Sequence, residues 1–318
     1  MDIKEIKPLT ETIRTEIARA IVGQDDSVEL LLIAMLAGGH ILLEGAPGTA
    51  KTFLTQCFAQ ATSLKFGRVQ FTPDLMPGDI LGTNLFDFQT SKFSLVKGPI
   101  FTDILLADEI NRTPPKTQAA LLEAMQERQV TIDGTRHDLG NRFMVVATQN
   151  PIAQQGTYPL PEAQLDRFLF KHILSYPNLE EELQIVSQHG AISGTQTAKT
   201  YGVKSVVTRA KIDKAVAAVS QVKLTEEVIE YVVNLVRATR ESMSFVTGAS
   251  PRAGVMLAAA ARAKAAMDGR DFVIPDDVKD IALPALRHRT ILSPAAEIEG
   301  RTADEQIGEV IAQTAAPR

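Results

Sequence analysis

Apolar residues at Ile6, Leu9, Ile13, Ile17 and Ile21 recur at steps of three and four, so the chain opens on one helical stripe that stops at Gly23. A second helical run, residues 25–37, begins with two acidic residues and is followed by Gly38-Gly39, the start and stop chemistry expected of a helix. Then the period changes. Short continuous apolar runs occur at residues 41–43, 66–71, 101–107, 143–148 and 168–174, with helical or loop segments between them. Such runs describe strands buried on both faces, and five of them separated by helices predict an α/β core with a five-stranded parallel sheet between helices.

A helix expected over residues 179–188 closes this core, and residues 193–202, SGTQTAKTYG, are small, polar and aperiodic, as a linker would be. Beyond it the helical period returns at residues 209–222, 225–240, 251–267 and 275–286, with Asp268-Gly269 as a tight turn, which predicts a smaller all-α domain. The expected division is a core over 1–192 with a trailing helix at 179–189, a linker over 193–205, the helical domain over 206–292, and a tail over 293–318. That tail is small and polar enough to fray, and no role is assigned to it.

The composition changes this picture little. With 45% hydrophobic and 22% charged residues in 318, the chain can bury a core in each of two domains and lies far from the signature of disorder. A net charge of -5, four tyrosines and no tryptophan give no general attraction for nucleic acid, which is therefore not the expected partner. Cys57 is the single cysteine, so no intrachain disulfide can form, and it reads as core packing. The longest apolar stretch, residues 28–37, contains Glu29 and is too short to span a bilayer, and the opening residues are broken by charges. A cytoplasmic protein without a membrane span is expected.

The chemistry begins where the first predicted strand runs into Gly45-Ala46-Pro47-Gly48-Thr49-Ala50-Lys51-Thr52 and then into a helical stretch starting at Phe53. Glycines allow backbone N–H groups to turn toward phosphate oxygens, a helix N-terminus adds positive potential, Lys51 supplies a point charge and Thr52 a hydroxyl for Mg²⁺. Ala50 stands where glycine is common, so the backbone there must hold a conformation that alanine tolerates. The third apolar run ends in Asp108-Glu109. At such a strand end the first acid can hold the metal and the second can polarise the water that attacks a γ-phosphate. The fourth delivers Gln149, Asn150 and Pro151 at the same sheet edge, where the Asn150 amide can hydrogen-bond both that water and a phosphate oxygen. Phosphoryl transfer also needs cations beyond the loop, and Arg167, just before the fifth run, and Arg252, opening a helix of the second domain, are candidates. The five histidines lack ligand spacing, and Arg287-His288-Arg289 reads as compensation of a helix dipole.

These pieces in this order resemble the AAA+ ATPases, and among them the MoxR family, over nearly the whole chain from Ile21-Val22-Gly23-Gln24 to about Ile291. The family-like elements include the loop ending Ala-Lys-Thr, Ala-Asp-Glu-Ile-Asn-Arg, Ala-Thr-Gln-Asn-Pro, Leu-Pro-Glu-Ala-Gln-Leu-Asp-Arg-Phe and Ser-Pro-Arg-Ala. The resemblance implies that Val22, Gly23 and Gln24 lie against adenine, that Asn150 is sensor 1, Arg167 an arginine finger and Arg252 sensor 2, with ATP and Mg²⁺ as cofactors. It also implies an insert in the second core helix, matched to residues 72–100, and a hairpin at 128–142 with Asp133-Gly134 as its turn.

The expected activity is ATP hydrolysis at a site shared between copies in a ring, expected to be a hexamer, that remodels a partner protein in the manner of a chaperone. Family members are linked to partners with von Willebrand factor A domains, which the resemblance extends to this chain. Alternatives from other classes are a nucleotide-gated switch with little turnover and a motor of the DNA or magnesium-chelatase type. The combination of Glu109, Asn150 and Arg167 argues for turnover over a switch.

Overall fold

The computed structural model describes residues 1–89, 91–151, 156–190 and 197–317; position 90 of the expected insert and residues 193–196 of the expected linker lie outside the described residues. Helix α1 (Ile6–Ile17) buries the predicted stripe, and α2 (Asp25–Ala37), capped by Gly38 in the left-handed conformation, is buried along most of its length. The core then alternates strand and helix through β1 (Ile41–Gly45), α3 (Lys51–Ala61), β2 (Phe66–Gln70), α4 (Pro77–Leu81), the hairpin β3 (Gly82–Asp87) and β4 (Lys92–Lys97), and β5 (Ile104–Asp108). It continues with α5 (Pro115–Glu127), the hairpin β6 (Gln129–Ile132) and β7 (Thr135–Asp138), β8 (Met144–Gln149), α6 (Glu162–Leu165), β9 (Phe170–Leu174) and α7 (Leu179–His189).

The five strands form the expected parallel sheet in the order β2-β5-β8-β1-β9, so the strand carrying the glycine-rich loop lies inside the sheet, with β8 beside it and β5 next after β8. Alternate residues serve the two faces: Ile41, Leu43, Ile104 and Leu106 join one hydrophobic cluster, while Leu42, Leu105 and Val145 join a second with Leu121 and Met125 of α5. Each expected strand is present, with ends moved by a few residues.

The second domain contains α8 (Arg209–Val219), α9 (Glu226–Glu241), β10 (Phe245–Thr247), α10 (Pro251–Met267), α11 (Pro275–Leu286), β11 (Ile291–Leu292), α12 (Pro294–Ile298) and α13 (Ala303–Gln313). It is not an independent body. Leu257 and Ile281 share the first cluster with α1, α2 and α3, α10 packs on α2, and Lys264 and Arg14 both pair with Glu29. The stretch from Ser293 does not fray. Thr302 and Glu305 form a capping box, and α13 lays Ile307, fully buried, and Val310 on α9 and α11. The small polar residues of that stretch masked a sparse apolar stripe that needs only one surface to bury it.

In the insert region, α4 leads into the β3–β4 hairpin, which displays Phe86, Phe93 and, 88% exposed, Phe88. The turn of the second hairpin is Asp133-Gly134, both with positive φ, and Asn84 donates to Asp133 at 2.8 Å, joining the two hairpins.

Candidate functional site

Gly45 ends β1, and the chain loops over five residues before α3 begins at Lys51. A Cβ on Gly45 would come within 3.0 Å of the Leu174 carbonyl oxygen, whereas at Gly48 space is open and the requirement is its φ of +84°. Ala50 is the helix N-cap at φ 61°, ψ 18°, so the position flagged in the sequence holds an alanine in the left-handed region. The Lys51 ammonium donates to the Gly45 and Ala46 carbonyls (2.9 and 2.8 Å) and to Thr49 Oγ1 (3.0 Å), spanning the loop. Burial lowers the Lys51 pKa, opposed by the nearby charges of Asp108 and Glu109.

The acidic pair is held from two neighbouring strands, from α3 and from the turn after β5. The Asp108 carboxylate is buried; one oxygen accepts from Thr148 Oγ1 of β8 (2.7 Å) and the other from Thr52 Oγ1 (3.2 Å) and from Arg68 of β2 (2.7 Å). The next residue breaks the strand: Glu109 sits at φ 57°, ψ 49°, a conformation that costs about 1–3 kcal/mol for a non-glycine residue. Its N–H donates to Thr148 Oγ1 (2.9 Å), and its carboxylate is pinned by Gln70 (2.7 Å) and Arg112 (3.1 Å). Identical geometry cannot serve both acids, and this backbone turn is what aims them differently. With Asn150 and the loop residues 47–53, they line one cavity of about 400 Å³ at the carboxyl ends of the strands, where open α/β sheets bind ligands.

The donor set suits a metal-bound polyphosphate: the hydroxyl of Thr52 and the carboxylate of Asp108 meet at one corner, and Lys51 and the α3 N-terminus lie alongside.

Residues 40–170 match the model of the ATPase family associated with various cellular activities, and residues 237–310 match the AAA lid domain. The chain is 42% identical to YeaC of Bacillus subtilis, covering 99% of this chain and 97% of that protein. It is also 42% identical to chaperone MoxR1 of Mycobacterium tuberculosis, covering 95% of this chain and 81% of the relative. The chain belongs to the MoxR family of AAA+ ATPases. A crystal structure from Cytophaga hutchinsonii superposes with a TM-score of 0.90 at 39% identity, over 99% of this chain and 96% of that one. The α/β core and helical lid are therefore an AAA+ core and lid shared with that structure.

Not every expected site residue of this MoxR-family chain lines the cavity. Val22, Gly23 and Gln24 do not line it; a Cβ on Gly23 would come within 2.5 Å of the Glu181 carboxyl group in the first turn of α7, and Gln24 accepts from Ser27 at 2.6 Å. Arg167 and Arg252 lie outside it as well. The Arg167 side chain runs to Gln126 of α5 (Nε–Oε1 3.1 Å), and Arg252 approaches Asp166 at 3.9 Å on the core–lid seam. Arg287-His288-Arg289 is also at this seam and does more than compensate the α11 dipole: Arg289 donates to the last-turn carbonyl of Ala285, all three side chains turn toward residues 168–171 or Asp304, and the Arg289 side chain is 1% exposed.

Arg68, Gln70 and Thr148 are not among the site residues expected from the sequence, yet they hold the acidic pair. One signal for the first two was available: the run Phe66-Gly-Arg-Val-Gln alternates polar and apolar residues, which is unusual for a strand of a doubly covered sheet. Register places Gln70 opposite Asp108, with Arg68 two residues back on the same face.

Proposed function

We propose that this MoxR-family ATPase hydrolyses Mg·ATP at a site completed by a neighbouring copy in a ring, and uses the cycle to remodel a partner protein. The observation that carries this reading is the convergence of Thr52, Asp108, Glu109 and Asn150 on one cavity at the end of the phosphate-binding loop. Thr52 and Asp108 would hold Mg²⁺, which when bound neutralises charge on the phosphates. Glu109, restrained by Gln70 and Arg112, is positioned to accept the proton of the attacking water, while Asn150 orients that water. The adenine would lie against Val22–Gln24, and Arg252 would report the nucleotide to the lid. Arg167, which bonds Gln126 of α5 and does not line its own chain's cavity, would serve an adjacent copy.

A hexameric ring, a cytoplasmic setting and a von Willebrand factor A adaptor follow from the resemblance to the family. The name chaperone carried by the mycobacterial relative supports a protein client. Among the described residues no helix is long and apolar enough to cross a membrane.

The test is steady-state phosphate release across protein concentration. A shared site gives specific activity that rises with concentration, and Lys51→Ala abolishes both release and retention of Mg·ATP. A Lys51→Ala chain that binds and cleaves like the parent would overturn the reading.

A further inference from the structure

The lid grips the chain on both sides of Arg167. Arg289, just beyond α11, places all five N–H donors: Nε on Asp166 Oδ1 (2.8 Å), Nη2 on the carbonyls of Asp166 (3.1 Å) and Phe168 (2.6 Å), and Nη1 on those of Leu169 (3.2 Å) and Ala285. His288 Nε2 donates to the Phe168 carbonyl at 2.9 Å. From the start of α10, Ser250 Oγ donates to the Asp166 carboxylate at 3.1 Å, and Arg252 reaches the same carboxylate at 3.9 Å. Core residue Asp166 and the strand entry at Phe168 are thus fastened to the lid, and Arg167 is the residue between them.

Burying a guanidinium this completely costs several kcal/mol in desolvation, and solvent could satisfy a helix C-terminus without it. A planar fork with every donor matched instead fixes one relative placement of two elements, which a lysine cannot reproduce. Arg252 contacts the same carboxylate, so a change in how Arg252 is engaged acts directly on the group that holds the Arg167 backbone.

We propose that Arg289, through Asp166 and with Ser250, is a positioning residue for Arg167, tying the lid angle of one copy to where that copy offers its arginine to the next. This rests on the reading of Arg167 as an arginine that acts on an adjacent copy. A chain with a damaged seam misplaces the Arg167 it offers its neighbour, while the Lys51, Thr52, Asp108 and Glu109 that line its own cavity lie apart from the seam.

The experiment is complementation between chains. Arg289→Lys alone should turn over about 10- to 100-fold more slowly, the order expected when a reacting group is misplaced by about 1 Å. Mixed with Glu109→Gln, which lacks the base but keeps the seam and Arg167 intact, turnover should rise above the sum of the two parents. Arg167→Ala mixed with the same partner is the reference and should be rescued likewise. Rescue of Arg167→Ala without rescue of Arg289→Lys overturns the seam proposal, as does Arg289→Lys at the parental rate. If Arg167→Ala itself is not rescued, the shared-site reading fails and the proposal with it. Should Arg289→Lys not fold, Ser250→Ala, which removes a single bond to Asp166, carries the same comparison with a smaller loss.

Discussion

The edge at the glycine-rich loop and the core–lid seam are built from the same ingredients, a carboxylate, a cation and a hydroxyl, arranged to opposite ends. At the edge, Asp108, Lys51 and Thr52 border an open cavity of about 400 Å³, so their polar atoms face a volume that a ligand can enter. At the seam, Asp166, Arg289 and Ser250 meet with the guanidinium 1% exposed and all of its donors matched within the protein. An open cluster keeps its electrostatics available to a ligand, whereas a saturated one converts the same forces into fixed geometry. Damage to the first is therefore expected to appear as lost chemistry, and damage around the second as lost stability or lost communication.

The sharpest way to break this contrast is at Glu109. Glu109→Gln is expected to lower kcat about 10³-fold while Mg·ATP is still retained, because under the proposed function only the proton acceptor is removed. Phosphate release at saturating nucleotide measures it, and a rate within about tenfold of the parent would separate Glu109 from the reaction. On the lid side, Ile307→Ala empties a fully buried position on α13 and should cost about 2–5 kcal/mol in urea denaturation. Leu183→Ala on α7, 64% exposed, is the control and should stay within about 0.5 kcal/mol. Equal midpoints for the two would show that α13 adds nothing to the lid.

The smallest effect expected is a pH dependence set by buried histidines, of which His288 lies at the seam and none lines the cavity. Burial holds His40 and His172 down to a pKa of about 4 from 6.5, and lowers His288 at the seam. The unfolded chain therefore takes up protons that the folded chain refuses, and stability should fall as pH drops from about 6.5 toward 4. His40 accepts the Val145 N–H at Nδ1 and donates from Nε2 to the Met125 carbonyl, so the neutral ring is the form its surroundings select. His40→Gln should flatten the slope of melting temperature against pH, and an unchanged slope would remove His40 as a source.

How much could be read in advance depends on how chemistry is distributed along the chain. The phosphate loop is eight consecutive residues between a strand and a helix, and Asp108-Glu109 closes an apolar run, so both announce themselves locally. Arg68 and Gln70 come from a different strand and are brought beside Asp108 and Glu109 only by parallel register. Arg289 looked like a helix-end cation because its neighbours in sequence are Arg287 and His288; its carboxylate partner is 123 residues away. The helix α13 was hidden by a different route, since polar composition outweighed a stripe of Ile307, Val310 and Ile311.

By itself, the order of apolar periods determined a parallel α/β core followed by a helical lid, because a strand buried on two faces and a helix buried on one impose different repeats that no partner is needed to read. The motif residues likewise determined which chemistry the sheet edge could support. Tertiary structure alone decided how Asp108 and Glu109 are steadied, where Arg167 is held, and that residues after Ser293 belong to the lid. Each of these depends on pairings across tens to hundreds of residues, and such contacts leave no periodic mark in the segments that make them.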